Sequence, residues 1–360
     1  MASKPSRRQR SAPTISDVAQ RAGVSPMTVS RVINGETNVR AATRDAVNAA
    51  IAALNYAPNR AARSLAGAEE IRIGLLYSNP SAAYLSEFLV GGLDHASRAN
   101  VQLLVENCDL GDHDVDAVKH LIRIGIDGVL LPSPLCDNDA IIALLQDANV
   151  PGIAVASGRP PANVSAVSID DERAAREMTE HLARLGHRRI GFIAGSPNQT
   201  ASERRLEGYR GALAAHGLDF APELVGQGHF TYRSGLDAAE QLLGLDDAPT
   251  AIFASNDDMA AATVAVAHRQ GLDVPGDLAV CGFDDTALAT IIWPELTTIH
   301  QPIADMSRAA MELLLREIRA RRAGERPEPS HILLDFTLVR RQSDAAPRRR
   351  PAVTVRQRGR

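Results

Sequence analysis

The sequence predicts a mixed α/β protein in which a small all-α head precedes two doubly wound α/β lobes. Three observations support this fold class. Residues 14–55 show short helical patterns without a strand pattern. From Ile71 onward, short apolar runs alternate with amphipathic stretches, which is typical of parallel sheets covered by helices. The chain of 360 residues is also too long for one compact core of the usual size.

Charge is distributed unevenly along the chain. Residues 1–67 contain ten Lys and Arg against three Asp and Glu, and residues 340–360 contain eight against one. The middle of the chain, residues 68–339, contains 21 against 39. A basic head on an acidic body indicates that the head binds a polyanion. Solvated basic ends would give the same totals, so the motifs have to decide between the two interpretations.

Composition disfavours several classes of protein. No run of eighteen apolar residues occurs, so we expect no membrane span and no membrane partner. No apolar segment follows the basic residues at 1–10, so a secretory signal is not expected. Cys108, Cys136 and Cys281 lie far apart, which predicts reduced thiols rather than disulfides or a zinc site. We therefore expect a cytoplasmic protein with no metal and no cofactor.

The start of the head carries the signals of two short helices joined by a tight turn. Thr14 followed by Asp17 is a capping-box start, because the hydroxyl and the carboxylate can each reach an unpaired backbone N–H. Gly23 suits a turn with positive φ, and Ser25 with Pro26 begins the next helix. This is the pattern of a helix-turn-helix, whose second helix lies in the major groove of DNA.

Periodicity predicts how the helices of the head pack. On the second helix, Val29 and Val32 can turn inward while Met27 and Arg31 face outward. A third helix is predicted from about Ala41 to Asn55. Its apolar face consists of Val47, Ile51 and Leu54.

A hinge segment is predicted at residues 58–68. Pro58 breaks the helical pattern, and the segment after it is too short to be a stable helix by itself. Its alanines, Ala62 among them, permit close approach, and its arginines suit phosphates. Leu65 is an apolar side chain able to wedge between base steps in the minor groove. The alternative is an interdomain linker whose Leu65 packs on the body.

These residues are similar to those of a known family. Residues 14–67 resemble the head of the LacI/GalR family, and the resemblance continues to about Arg341. Its most specific strings are Thr28–Val32, Asn55–Asn59 and Leu65–Gly67. The resemblance implies base-reading positions at Pro26, Met27 and Arg31. It implies further DNA contacts at Thr14, Ser25, Thr28, Ser30, Asn34, Tyr56, Asn59, Ala62 and Leu65.

Two residues of the head qualify this resemblance. Arg40 stands where the family usually has a Ser or Thr cap for the third helix, a loss of about 1 kcal/mol. Arg40 could contact a phosphate instead. Pro26 can donate no hydrogen bond to a base, so we expect direct readout to fall mostly on Met27 and Arg31.

The body resembles the fold of periplasmic binding proteins, with two lobes and a cleft between them. We predict a basic arm at 1–12, a helix-turn-helix domain at 13–57, the hinge helix at 58–68, a two-lobed effector-binding and dimerisation domain at 69–342, and a disordered basic tail at 343–360. We predict the first lobe at about 70–168 and 301–328, and the second at about 169–300 and 329–342.

Polar side chains follow several predicted strands of the body. Ligands of such sheets bind outside the carboxyl ends of the strands. Planar groups that suit paired hydrogen bonds with a polyol are found at Arg205, Asn256, Asp284 and Gln301. Phe230 could cover an apolar face of the ligand. Taken singly, these residues also fit a surface ion pair, an Asx turn or a helix cap, but the resemblance implies that all five line an effector cleft.

The first lobe gives weaker signals for this cleft. Where many relatives carry an Asp, the chain has Ala156 followed by Ser157. The candidates from this lobe are therefore Ser78 and Ser157, with Ser133 and Arg159 as further possibilities.

The sequence as a whole predicts a homodimeric repressor that binds double-stranded operator DNA on the nucleoid and is released by a small sugar. One rival is a corepressor-dependent regulator in which Tyr77 and Phe230 sandwich a purine. A distant rival is a periplasmic sugar-binding protein, which would need a signal peptide. No leucine heptad for tetramer formation follows Arg341.

An enzyme is not predicted. The pairs Asp257–Asp258 and Asp284–Asp285 could be compared with the two carboxylates of a glycosidase. Adjacent aspartates after strands more often cap helices and accept hydrogen bonds. No phosphate-binding loop, dinucleotide fingerprint or hydrolase motif is present in the sequence.

Overall fold

The computed structural model describes residues 13–33, 39–54, 71–78, 81–99, 101–108 and 114–348. Contacts divide the chain into two compact units, Met1–Glu70 and Ile71–Arg360. Several predicted features lie outside the described residues: the arm at 1–12, Asn34, Tyr56, Asn59, the hinge with Ala62 and Leu65, and residues 349–360 of the tail. No described helix is long and apolar enough to cross a membrane.

The head contains three helices around a small apolar core. They are α1 (Ile15–Ala22), α2 (Pro26–Ile33) and α3 (Ala41–Leu54). Each helix contributes one fully buried valine to this core: Val18, Val29 and Val47. Since the head has only a few such side chains to bury, its stability depends on well-capped helices as well as on packing.

The predicted caps and turn are present in the head. The Asp17 carboxylate accepts the Thr14 N–H at 2.7 Å, and Thr14 Oγ1 accepts the Asp17 N–H. Hydrogen bonds from the Thr14 backbone and hydroxyl lower the pKa of Asp17. Gly23 ends α1 with a φ of 68°, and Ser25 Oγ accepts the Thr28 N–H at the start of α2. The helix-turn-helix is therefore fixed by hydrogen bonds between residues three apart.

The second unit alternates strands and helices along the chain. Residues 71–168 form β1 (Ile71–Tyr77), α4 (Ala82–Ala99), β2 (Val101–Asn107), α5 (Asp114–Arg123), β3 (Gly128–Pro132), α6 (Asp139–Asp147), β4 (Gly152–Val155) and β5 (Ser165–Ser168). Residues 171–300 form α7 (Asp171–Arg184), β6 (Ile190–Ala194), α8 (Thr200–Ala215), β7 (Val225–Gln227), α9 (Tyr232–Leu243), β8 (Ala251–Ala254), α10 (Asp257–Arg269), β9 (Ala279–Asp284), α11 (Leu288–Ile291) and β10 (Thr297–His300). The last elements are α12 (Ile303–Arg322), β11 (His331–Leu333) and β12 (Thr337–Val339).

The strands form two sheets, each the centre of one lobe. The first sheet has the order β11-β5-β4-β3-β1-β2 and the second β12-β10-β9-β8-β6-β7. All paired strands run parallel except β10 and β12. The central strands are buried along their whole length, because helices cover both faces of a parallel sheet. Parallel pairing also gathers the carboxyl ends of the strands at one edge of each sheet.

The predicted lobe boundary near residue 329 is wrong for one strand. β11 pairs in parallel with β5, with His331 opposite Ala166, so it belongs to the first sheet. Only β12 returns to the second sheet, where Leu338 lies opposite Ile299. β11 has three residues and just one partly buried side chain, a pattern too short to show which sheet it joins.

The predicted disordered tail is wrong for its first residues. Ser343 and Asp344 are buried in the second lobe. Ser343 Oγ donates to the carbonyl of Val280, and Asp344 Oδ2 lies 2.7 Å from His181 Nε2. The Asp344 carboxylate also accepts the hydroxyl of Thr297. Burial raises the pKa of Asp344, but the hydrogen bonds from His181 and Thr297 outweigh burial and lower it overall.

We predict that Asp344→Asn destabilises the second lobe by about 3 kcal/mol, because it removes a buried carboxylate that is hydrogen-bonded to His181 and Thr297. Urea unfolding measures this loss. Asp273→Asn is the control, since Asp273 pairs with Arg348 on the surface and should cost under about 1 kcal/mol. Because the folded pKa is lowered, the Asp344 contribution is complete above about pH 4 and is lost as the pH falls through the folded pKa. Equal losses for the two variants would contradict the buried role of Asp344.

Candidate functional site

A small polar cavity lies between the two lobes. Its lining comes from both sheets, at or just after the carboxyl ends of their strands: Ser81, Tyr84, Ser133 and Ala156 from the first lobe, and Gln199, Ala201, Arg205, Phe230, Asn256, Asp284 and Gln301 from the second lobe and the crossing that leads out of it. The cavity measures about 30 Å³. The five positions that the sequence predicts in the second half of the chain are therefore brought together at one place.

Arg205 is the central charged group of this cavity and is only 4% exposed. Its Nε donates to Asp171 Oδ1 at 2.8 Å, and its Nη1 donates to the carbonyl of Ser255 at 2.5 Å. Nη1 also lies 4.0 Å from Asp284 Oδ1. The guanidinium stacks 3.6 Å from the ring centre of Phe283. The charge of Arg205 is thus matched inside the protein.

Two carboxyl groups share this arginine. Burial raises the pKa of Asp171 and raises that of Asp284 well above its usual range, because the opposing charge of Arg205 offsets only part of the effect of burial. Gln301 Nε2 donates to Asp284 Oδ1 at 2.7 Å, which also favours the charged carboxylate. Asp284 therefore accepts a hydrogen bond from Gln301 and lies 4.0 Å from the Arg205 cation, although it is almost fully buried.

Two polar atoms of the lining lack a hydrogen-bond partner among the described residues. They are the hydroxyl of Tyr84 and Oε1 of Gln301, and both residues are at least nine-tenths buried. Buried polar atoms of this kind are rare in folded proteins, because each loses its hydrogen bonds to water. Both atoms are available to a ligand with hydroxyl groups.

The side chain of Asn256 already makes hydrogen bonds within the protein. Its Oδ1 accepts the Met259 N–H and so caps α10, and its Nδ2 donates to the carbonyl of Phe230 at 3.1 Å. The sequence left open whether this residue forms a local cap or faces the cleft. Its side chain does both, since it caps the helix and borders the cavity.

Unusual backbone conformations concentrate at the cavity. Ala156, Phe230 and Asp284 have φ values of 59°, 59° and 107°, in the region that favours glycine. All three line the cavity. Gly195 lies so close to the Phe230 ring that a Cβ would be 2.0 Å from it. Strain of this kind persists where the surrounding structure fixes the side chains for function.

Three of the four first-lobe candidates, Ser78, Ser157 and Arg159, do not line the cavity. Ser78 follows β1, and its buried hydroxyl has no partner among the described residues. Ser157 is buried, and its hydroxyl donates to Asp137 Oδ1 at 2.6 Å. The lobe instead contributes Ser81, Tyr84 and Ser133, of which only Ser133 was a candidate. The rule that ligands bind outside the carboxyl ends of parallel strands also points to Ser81 and Tyr84, because they follow β1.

The neighbouring aspartates that could be compared with glycosidase carboxylates have different partners in the structure. Asp257 accepts the N–H of Thr286 and the hydroxyl of Thr298, and burial raises its pKa to about 7. Asp285 pairs with Arg341 at 2.5 Å, away from the cavity lining. These two carboxylates are bound to Thr286, Thr298 and Arg341, and they do not face each other across a substrate site.

A larger cavity of about 540 Å³ lies beside the amino ends of β4 and β5. Its walls are mostly apolar or exposed, with Glu317 as a buried charged group. We place the functional site at the smaller cavity, because there the polar side chains of both lobes converge.

The second helix of the head presents the predicted DNA-reading positions to solvent. Pro26, Met27 and Arg31 are exposed on α2, and Met27 is 64% exposed although it is apolar. Thr28 and Ser30 are partly buried, and Thr14 and Ser25 are exposed at the starts of α1 and α2. The described DNA-contact candidates thus lie at helix starts or along α2.

A helix-turn-helix unit joined to a two-lobed α/β unit with a polar cleft defines a class, the DNA-binding regulators that respond to a small molecule. Residues 14–59 match the family described as bacterial regulatory proteins, lacI family, and residues 179–343 match the periplasmic binding protein-like domain. The HTH-type transcriptional regulator CelR of Thermobifida fusca is 38% identical over 342 residues, which are 93% of this chain and 99% of that protein.

Solved structures agree with this match. The complex of the transcriptional regulator CelR with cellobiose is 35% identical, with a TM-score of 0.71 over 92% of this chain and 99% of that one. The lac repressor dimer bound to operator and the anti-inducer ONPF is 30% identical, with a TM-score of 0.79 over 93% and 100%. The chain therefore belongs to the lacI family of bacterial regulatory proteins and is a DNA-binding transcription regulator.

We predict that Arg205→Met destabilises the protein by about 3–5 kcal/mol, because it leaves Asp171 and Asp284 buried without their shared cation. Denaturant unfolding measures the loss. Arg204→Met is the matched control on the same helix, since its contacts with Glu172 and Glu207 are partly exposed and worth at most about 1 kcal/mol. A small loss for Arg205→Met would show that the charges around it are not coupled.

Proposed function

We propose that this chain is a homodimeric repressor whose heads bind operator DNA and whose cleft binds an uncharged sugar that releases it. The observation that carries this function is the convergence of planar polar side chains from both lobes on one cavity. The proposal is supported by the CelR relative, whose structure contains cellobiose, and by the lac repressor dimer, whose structure contains operator. It involves no catalytic step and locates the protein on DNA in the cytoplasm.

The effector of this proposal is uncharged because of the charge balance around the cavity. Arg205 is the only cation among the described lining residues, and Asp171 and Asp284 already match it. Asp258 adds a carboxylate beside the cavity, 2.7 Å from the hydroxyl of Ser81. A phosphate or carboxylate ligand would be buried without a counter-ion, which is costly. Hydroxyl groups can donate to Gln301 Oε1 and Asp284 without adding charge.

Sugar binding has to be coupled to movement of the lobes. The cavity of about 30 Å³ has room for about two water molecules. Small-molecule sites usually measure about 300–1,000 Å³. A sugar therefore requires a more open arrangement, and its preference for one arrangement over the other is what can change operator affinity.

The corepressor alternative has less support from the lining. Tyr77, the proposed partner of Phe230 in a purine sandwich, is not among the lining residues. Its hydroxyl donates to the carbonyl of Ser81 instead. The aromatic residue of the first lobe that reaches the cavity is Tyr84.

The dimer of this proposal uses apolar surface on both lobes. Val90 and Leu93 of α4 are 64% and 52% exposed, and Ile291 and Trp293 near α11 are 76% and 74% exposed. Exposed apolar side chains in groups mark surfaces that bind a partner. We assign these two surfaces to a second copy of the chain, in keeping with the dimer of the lac repressor structure.

We predict that DNA from upstream of the gene for this protein binds saturably at about 150 mM salt with excess competitor DNA, since salt sets the nonspecific part of binding. Fluorescence anisotropy measures the affinity. A pool of neutral mono- and disaccharides, cellobiose included, should raise the apparent Kd about 5-fold or more. The corresponding sugar 6-phosphates should leave it unchanged. Release by the phosphates alone would contradict the charge argument, and binding strengthened by a purine would favour the corepressor.

We predict that Arg31→Ala weakens operator binding by about 1–3 kcal/mol, because it removes a base contact of the second helix. The same titration on unrelated DNA of equal length is the control. Binding to that DNA should change far less, since it depends on phosphate contacts. An equal loss on both DNAs would make Arg31 a phosphate contact rather than a base-reading residue.

A further inference from the structure

A second group of contacts joins the lobes beside the cavity. Asp137 lies in the short turn Leu135–Asp137 that follows β3 in the first lobe. Thr200 is the first residue of α8 in the second lobe. The Thr200 N–H donates to Asp137 Oδ2 at 2.9 Å, and its hydroxyl lies 3.0 Å from both carboxylate oxygens. The carboxylate therefore caps the amino end of a helix that belongs to the other lobe.

The hydroxyl of Thr200 is fully used between the lobes. While it donates to Asp137, it accepts the N–H of Gly158 at 2.9 Å and the N–H of Arg159 at 3.1 Å. A hydroxyl has one donor hydrogen and two acceptor positions, so these three contacts complete it. Ser157 donates to the same carboxylate at 2.6 Å and holds it in place from its own lobe.

Gly158 shows independently how closely the lobes approach here. A Cβ on Gly158 would lie 2.7 Å from Ala201 N and from the carbonyl carbon and oxygen of Thr200. These are backbone atoms of the other lobe, so they cannot move aside singly. The φ of Gly158 is not in the left-handed region. The backbone conformation of Gly158 is therefore open to alanine, and the nearest atoms that a Cβ would meet belong to the second lobe.

We propose that Asp137, Gly158 and Thr200 form a latch that holds the two walls of the cleft together and so sets how readily the cleft opens. These residues position the walls and lie outside the lining of the cavity. The latch rests on the proposed function only for its consequence, which is that a sugar has to open it. Other polar links between the lobes are Ser133 with Gln199, Ser81 with Asp258, and the exposed ion pairs of Arg159 with Glu203 and Glu207.

The test is the distance between the lobes with no sugar present. Spin labels are attached to cysteines introduced at Asp116 of α5 and Asp237 of α9, both of which are exposed. The native cysteines are at most 3% exposed and stay unlabelled. Pulsed electron spin resonance should show a broader distribution with a longer mean distance for Gly158→Ala than for the labelled parent protein. The melting temperature should be the same for both.

Matched variants separate the latch from a general effect on folding. Gly211→Ala adds the same methyl group on α8, where it meets only Arg176 Nη1 at 3.9 Å, and should not shift the distance. Thr200→Val removes the hydroxyl and should widen the distribution, whereas Thr200→Ser retains it and should not. Identical distributions for Gly158→Ala, Thr200→Val and the parent would overturn the latch.

A second readout links the latch to the regulator. With the sugar that releases operator in the anisotropy titration, Gly158→Ala should change the half-release concentration at least several-fold, and Gly211→Ala should not. If no sugar acts, the proposed effector fails while the distance measurement still decides the latch. If the lobes open and the half-release concentration is unchanged, the latch does not set access to the cleft.

Discussion

The guanidinium of Arg205 lies where α7, α8, β8 and β9 meet, and its burial constrains everything around it. A buried cation is tolerated only when its charge and its hydrogen bonds are satisfied inside the protein. The partners are Asp171 of α7, the Ser255 carbonyl after β8, and Phe283 and Asp284 of β9. The residues at the carboxyl edge of the second sheet are therefore held in place around one charge. These residues form the second-lobe wall of the cleft.

The same balance of charges around Arg205 determines which kind of ligand the cleft can bind. Since the charge of Arg205 is matched internally, its surroundings offer hydrogen bonds rather than a free cation. Asn256 is committed to the cap of α10 and to Phe230, while Tyr84 and Gln301 keep one polar atom each for a ligand. Asp284 combines a φ of 107° with almost complete burial, a costly position for a residue with no role in binding. These features favour a neutral ligand rich in hydroxyl groups.

The buried apolar side chains of the two lobes form one continuous cluster, and beside the cleft the lobes also meet through short polar contacts. Several of these polar contacts involve small residues, namely serines, a threonine and a glycine whose missing side chain allows backbone atoms to approach. Such contacts can be broken and reformed at small cost, because water replaces each hydrogen bond when the lobes separate. A regulator that has to change arrangement benefits from an interface of this kind.

The sequence by itself determined the head and the plan of the body. The caps at Thr14 and Ser25, the turn at Gly23 and the apolar periodicity are local signals, set by residues three or four apart, and alternating strands and helices predicted the two lobes. The rule that ligands bind outside the carboxyl ends of parallel strands and the family resemblance selected Arg205, Phe230, Asn256, Asp284 and Gln301. Only the tertiary structure decided the sheet that β11 joins, the burial of Ser343 and Asp344, and the contact of Asp137 with Thr200. Asp137 and Thr200 are 63 residues apart, and nothing local distinguishes a carboxylate that will cap a distant helix from one that faces solvent.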